Sequence, residues 1–141
     1  MSGASTGAAK SACALDASAV LALLQAEPGH AVVQAHVERS NCFISAVNVT
    51  EVLTRLIDHG MSPEDAEFAF DALELDVIAF DDAAARATAA LRMATRAQGL
   101  SIGDRACLAL AARRKALAVT ADRAWKDVKS DVRVEMIRPV S

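Results

Sequence analysis

The chain has 141 residues, of which 53% are apolar, and a formal net charge of −3. This length supports one buried core and is too short for two ordinary domains, and so small a net charge argues against binding nucleic acid by bulk electrostatics. No apolar run approaches the roughly 18 residues of a membrane span. We therefore expect a disordered lead-in at residues 1–11, without a secretion signal, and one cytoplasmic domain at residues 12–141.

The first half of the chain alternates short apolar runs with helix-like patterns. Pro28-Gly29 and Gly60 supply stop signals, and Ser62-Pro63 supplies a start signal. The predicted strands are residues 12–15, 42–46 and 75–80, and the predicted helices are residues 17–26, 30–39, 49–59 and 63–73.

The second half continues this alternation. The predicted helices are residues 83–97 and 101–115, followed by a strand at 116–120, a helical turn at 123–128 and a final alternating segment at 132–137. Strands that alternate with helices form a parallel sheet covered on both faces. The predicted fold class is therefore α/β, a three-layer α/β/α domain with a central parallel sheet.

The charge is divided unevenly along the chain. Residues 1–85 contain three basic and 13 acidic residues, whereas residues 86–141 contain 12 basic and five acidic ones. This distribution suits an acidic crevice flanked by phosphate-binding side chains, and it suits ordinary solvated helix faces equally well. Charge alone leaves both interpretations open.

Four acidic residues each follow an apolar run and open a helix-like segment. Because the carboxyl ends of parallel strands lie along one edge of a sheet, residues far apart in sequence can converge there. Carboxylates gathered in one crevice repel one another, and a hard divalent cation with oxygen ligands relieves that repulsion. The pattern indicates a metal-dependent enzyme with its site at Asp16, Glu51, Asp104 and Asp122.

Each of these acids also has a local explanation as a helix cap. Asp16 and Asp122 suit the N-cap position. The pair Asp81-Asp82 also follows a predicted strand and opens a helix without matching a motif, so this position alone does not indicate a site. The other two acids have the spacing of capping boxes, Asn48 with Glu51 and Ser101 with Asp104.

Neighbouring hydroxyls favour the functional interpretation for two of the acids. Ser18 follows Asp16 closely, and Thr120 precedes Asp122 at the end of a strand. Both hydroxyls can hydrogen-bond a carboxylate or a metal-bound water. We predict that they support the site.

In the motifs around these four acids the chain resembles the PIN-domain family, and more closely the VapC-type toxin ribonucleases of bacterial toxin–antitoxin pairs. The resemblance covers about residues 12–138, and all four motifs occur in the family's order. The matching segments are LDASAVLALL, ISAVNVTEVL, LSIGDRACLALA and VTADRAW.

The resemblance implies a metal-dependent endoribonuclease. Its first three acids, here Asp16, Glu51 and Asp104, would hold Mg²⁺ or Mn²⁺, with Asp122 as the fourth member. It also implies an RNA substrate, a homodimer and a VapB-type antitoxin that inserts a segment near the crevice.

Two groups of residues are candidates for partner contacts. Arg105 and Arg123 are adjacent to motif acids, where they can contact RNA phosphate or the antitoxin, although functionless surface positions explain them equally well. The apolar-rich helical stretches at residues 49–57 and 64–73 are candidate partner surfaces.

Two rival functions remain open. One is a non-catalytic PIN-like binding module whose acids only cap helices. The other, a Mg²⁺-dependent phosphotransfer or phosphatase domain, is disfavoured because the chain lacks DxDx[TV] and GxxxxGK[ST] motifs.

Other reactive residue types are predicted to be structural. His30, His36 and His59 share no ligand spacing, and Trp125 is expected to pack against the sheet. The three cysteines show no metal-binding spacing and are expected to be buried reduced thiols: Cys13, Cys42 and Cys107.

Overall fold

A five-stranded parallel sheet forms the centre of the protein in a computed structural model that describes residues 11–138. The sheet order is β3-β2-β1-β4-β5, and every neighbouring pair is parallel. The lead-in predicted at residues 1–11 lies outside the described residues except for Ser11. The strands are β1 (Ala12–Leu15), β2 (Asn41–Ser45), β3 (Asp76–Ile78), β4 (Leu117–Thr120) and β5 (Val134–Met136).

Helices cover both faces of this sheet. Successive side chains of a strand point to opposite faces, so Cys13 and Leu15 join a core with the first four helices, whereas Ala14 joins a second core with the seventh. The predicted three-layer α/β/α fold is confirmed. The helices are α1 (Ala17–Leu24), α2 (His30–Arg39), α3 (Ala46–Asp58), α4 (Pro63–Asp71), α5 (Asp82–Ala90), α6 (Arg92–Thr95) and α7 (Ile102–Arg114), with 3₁₀ turns at Arg96–Gln98 and Arg123–Trp125.

The start of α3 corrects one prediction that bears on the site. The helix begins at Ala46 and is capped by Ser45, whose hydroxyl accepts a hydrogen bond from the backbone N–H of Val47. Asn48 and Glu51 therefore lie inside the helix, and the predicted capping box between them is wrong. Glu51 loses its explanation as a cap.

The helix predicted at residues 83–97 is interrupted at Leu91, which is a second correction. The backbone N–H of Leu91 donates to the carbonyl of Thr88, three residues earlier, and the Thr95 hydroxyl donates to the Leu91 carbonyl. Hydroxyl back-bonding of this kind bends helices, and Leu91 packs against the second core. The strand predicted at 75–80 is also shorter, because β3 spans only Asp76–Ile78.

The expectations for thiols and for tryptophan are confirmed. All three cysteines are free and buried, and Trp125 is buried in the second core. Within residues 11–138, no helix combines the length and the apolar character needed to cross a membrane.

Candidate functional site

One cleft of about 510 Å³ is lined by all four motif acids. Asp16 and Asp122 lie just beyond the carboxyl ends of β1 and β4, Glu51 lies in the second turn of α3, and Asp104 lies in the first turn of α7. These four elements are separated in sequence and meet at one edge of the sheet, as parallel topology requires. The fold therefore gathers the acids, whereas Asp81 caps α5 and is not among the residues that line this cleft.

Asp16 is the most enclosed of the four acids, with 2% of its surface exposed. Its Oδ1 accepts hydrogen bonds from the Ser18 hydroxyl and the backbone N–H of Ala19, both at 2.8 Å. Its Oδ2 accepts from the Thr120 hydroxyl at 2.5 Å. The carboxylate is therefore fixed from three directions, and as N-cap of α1 it also has the structural role that the sequence predicted.

Ionising Asp16 is costly in the folded protein. Burial raises the pKa of this carboxyl to about 6, the charge of Asp104 adds to the increase, and the three hydrogen bonds oppose it. The folded chain keeps this proton to a higher pH than the unfolded chain, so the free energy of unfolding falls as pH rises from about 4 to 6. We expect the complete loss, reached only above the folded pKa, to be on the order of 3 kcal/mol, and a cation bound beside Asp16 would offset it.

Thr120 and Ser18 connect the first acid to the last. The Thr120 hydroxyl accepts a hydrogen bond from the backbone N–H of Asp122 at 2.9 Å and lies 3.2 Å from the Ser18 hydroxyl. Asp122 in turn caps the following 3₁₀ turn through Ala124. The two hydroxyls thus link Asp16 to Asp122, and their support of a functional site stays a prediction.

Asp104 caps α7 and faces the cleft at the same time. Its backbone N–H donates to the Ser101 hydroxyl at 3.1 Å, and its Oδ2 accepts from the Ser101 N–H at 2.9 Å. This is the predicted capping box. Its Oδ1 has no hydrogen-bond partner among the described residues, so one carboxylate oxygen is free for a ligand.

Glu51 reaches the cleft from α3 through an arrangement that the sequence did not reveal. The Asn48 amide donates to Glu51 Oε1 at 2.8 Å and to the carbonyl oxygen of Gly103 at 3.1 Å. A side chain at Gly103 would overlap both oxygens of this carboxylate. Glu51 therefore lies directly against the first turn of α7.

Two arginines that the sequence did not single out also line the cleft. Arg55 is exposed and has no hydrogen-bond or ion-pair partner among the described residues. Arg138 donates to Glu27 Oε1 and to the carbonyl of Pro28, both at 2.9 Å. A helical i, i+4 spacing from Glu51 was the available signal for Arg55, whereas nothing local marks Arg138.

The two arginines predicted to contact RNA or the antitoxin are not among the residues that line this cleft. Arg105 is half-buried and donates to the backbone carbonyl of Thr88 at 3.2 Å, whereas Arg123 is exposed at the 3₁₀ turn. Their contact roles stay predictions.

The acids suit a hard cation that keeps part of its water shell. Within residues 11–138, no three His, Cys, Asp or Glu side chains are placed so that they could together hold a metal ion. Mg²⁺ usually binds through one or two carboxylates and retains several waters, so it does not require three such ligands. Carboxylate oxygens, one of them unpartnered on Asp104, provide the ligand chemistry that Mg²⁺ and Mn²⁺ prefer.

Comparison with known proteins identifies the family. The model of the PIN domain matches residues 13–130, which include all four acids. The chain belongs to the PIN-domain family. Comparison with curated protein sequences found no match.

Several solved structures share this fold along nearly their whole length. A chain of the DNA-bound VapBC of Salmonella typhimurium has a TM-score of 0.70 and 19% identity, covering 91% of this chain and 99% of its own. A toxin–antitoxin complex from Klebsiella pneumoniae has a TM-score of 0.68 and 18% identity, covering 91% and 99%. VapC20 of Mycobacterium tuberculosis, a sarcin-ricin loop cleaving toxin, has a TM-score of 0.68 and 16% identity, covering 86% and 98%. Because the sequence identities are below 20%, these likenesses show only that the fold is shared.

Proposed function

We propose that this chain is the toxin endoribonuclease of a VapBC-type pair, and that it cleaves RNA by Mg²⁺- or Mn²⁺-dependent phosphodiester hydrolysis. The observation that carries the proposal is the convergence of four acids, from four separate elements, in one cleft. Membership of the PIN-domain family and the likeness to VapC20, a sarcin-ricin loop cleaving toxin, support it.

In this proposal the acids of the cleft bind the cation and an arginine binds the RNA phosphate. Asp16, Glu51 and Asp104 would hold the cation directly or through its retained waters, with Asp122 completing the acidic wall. A bound divalent cation supplies a water of lowered pKa and positive charge against the phosphate oxygens. The exposed Arg55, one helical turn after Glu51 on α3, suits a phosphate group of the RNA backbone.

The proposal includes partners. VapBC complexes among the similar structures support a VapB-type antitoxin, and we propose a cytoplasmic homodimer for the toxin. Apolar side chains at the end of α3 and on α4 are exposed, with Phe68 at 79%, and such surfaces favour protein contacts.

Expression of the chain in a bacterial host tests this function. We expect induced wild-type protein to arrest growth and to produce discrete new ends in cellular RNA, mapped by sequencing. The Asp16→Ala variant should produce neither, because it removes the buried carboxylate at the centre of the hydrogen-bond network.

Asp81→Ala is the matched control, because Asp81 also caps a helix through its carboxylate but does not line the cleft. This variant should cut RNA as the wild type does. Equal RNA ends from wild type and Asp16→Ala would refute the proposed function, provided that both proteins accumulate to the same level.

A further inference from the structure

A buried amide connects two helices at the wall of the cleft. Asn48 is 1% exposed, and its single amide nitrogen donates both to Glu51 Oε1 at 2.8 Å, on its own helix, and to the Gly103 carbonyl at 3.1 Å, on α7. A hydrogen bond within α3 alone would not fix the position of the Glu51 carboxylate relative to α7. The shared donor instead ties the Glu51 carboxylate to the first turn of α7.

The position of Gly103 completes this arrangement from the other side. A Cβ at this residue would overlap both oxygens and the carboxyl carbon of Glu51, the three atoms closest to that position. Glycine lowers helix stability relative to alanine, and this glycine lies in the first turn of α7. The first turn of a helix also favours negative charge, so this position is electrostatically favourable for the Glu51 carboxylate. The carboxylate can come this close to α7 only because residue 103 has no side chain.

Stability does not explain the choice of asparagine at residue 48. Its Oδ1 is buried and has no hydrogen-bond partner, and an unsatisfied buried acceptor costs folding free energy. An apolar side chain of similar size would avoid that cost. What Asn48 provides, and an apolar residue would not, is the N–H donor between Glu51 and Gly103.

We infer that Asn48 and Gly103 are positioning residues that hold the Glu51 carboxylate against the first turn of α7, beside Asp104, and thereby set the affinity of the cleft for a divalent cation. The inference rests on the proposed function, because it takes Glu51 as a cation ligand. Neither residue touches the reacting atoms. Each acts through Glu51, one by donating a hydrogen bond and the other by leaving space.

The Gly103→Ala variant separates positioning from folding. Its added methyl group meets only the end of the long Glu51 side chain, which can rotate away, so the fold should persist and the denaturant midpoint of unfolding should stay level or rise. Mn²⁺ affinity, measured from the electron paramagnetic resonance signal of the free ion, should fall by about 10- to 100-fold. This is the usual effect of losing a group that orients a metal ligand.

A double-variant comparison tests whether the effect passes through Glu51. Once Glu51→Ala has removed the ligand, adding Gly103→Ala should change Mn²⁺ affinity no further. Asn48→Ala should likewise lower Mn²⁺ affinity in the wild-type background and have no further effect once Glu51→Ala is present. The control is Thr50→Ala, an exposed substitution on α3 outside the cleft, which should leave Mn²⁺ affinity at the wild-type value.

The outcomes distinguish this inference from the proposed function. Wild-type affinity in Gly103→Ala, additive losses in the double variant, or no Mn²⁺ binding by the wild type would each overturn the positioning role. If the Mn²⁺ results are as expected but the wild-type protein cuts no RNA, the positioning role stands and the ribonuclease assignment falls.

Discussion

The Asp104→Asn variant is expected to lose RNA cleavage by on the order of 10³-fold while keeping its helical content. A cation contributes several kcal/mol of charge stabilisation to a phosphodiester transition state, which corresponds to a change of this size in rate. Asparagine retains an oxygen that can accept the hydrogen bond from the Ser101 N–H, so the capping box survives in part. Cleavage of end-labelled cellular RNA in Mg²⁺, together with far-ultraviolet circular dichroism, measures both quantities.

Asp81→Asn is the control for this variant, since it makes the same chemical change at a helix cap that does not line the cleft. It should cut at the wild-type rate. Undiminished cleavage by Asp104→Asn in Mg²⁺ would remove Asp104 from the site.

The Thr120→Val variant is expected to lose stability and cation affinity together. Valine has nearly the same shape but lacks the hydroxyl that donates to Asp16 and accepts from the Asp122 N–H. Leaving buried polar partners unsatisfied costs about 1–3 kcal/mol of unfolding free energy. Losing a group that orients a ligand weakens metal binding by about 10- to 100-fold. Urea denaturation and Mn²⁺ titration measure the two effects.

Thr88→Val provides the comparison, because Thr88 is also buried but its hydroxyl has no hydrogen-bond partner. That variant should be as stable as the wild type or more so. If the two substitutions changed stability by the same amount, the network around Thr120 would have no special role.

Local patterns predicted the fold and the location of the acids for a clear physical reason. An apolar run followed by an acid and a helical pattern defines a strand end and a helix start. Because the strands are parallel, their carboxyl ends then lie along one edge of the sheet. Asp16 and Asp122 accordingly lie beyond the ends of β1 and β4. The structure keeps their predicted capping roles and adds the shared cleft.

The remaining features depend on contacts between elements that no local pattern encodes. The spacing of Asn48 to Glu51 predicts a capping box, whereas the Asn48 amide in fact contacts the Gly103 carbonyl on α7. Arg138 reaches the cleft from the end of the chain, where it pairs with Glu27. The break at Leu91 coincides with the Thr95 hydroxyl bond to its carbonyl and with packing against the second core, neither of which the Ala- and Arg-rich sequence shows.

The central claim is that the four acids form one cation-binding site and not four separate helix caps. Melting of the wild-type protein and of Asp104→Asn during Mn²⁺ titration tests this claim without any knowledge of the RNA substrate. At 100-fold excess over the dissociation constant, binding stabilises a protein by about 2.7 kcal/mol. We predict a rise in the wild-type melting temperature that is absent from Asp104→Asn. No rise in the wild type, or an equal rise in both proteins, would contradict the claim.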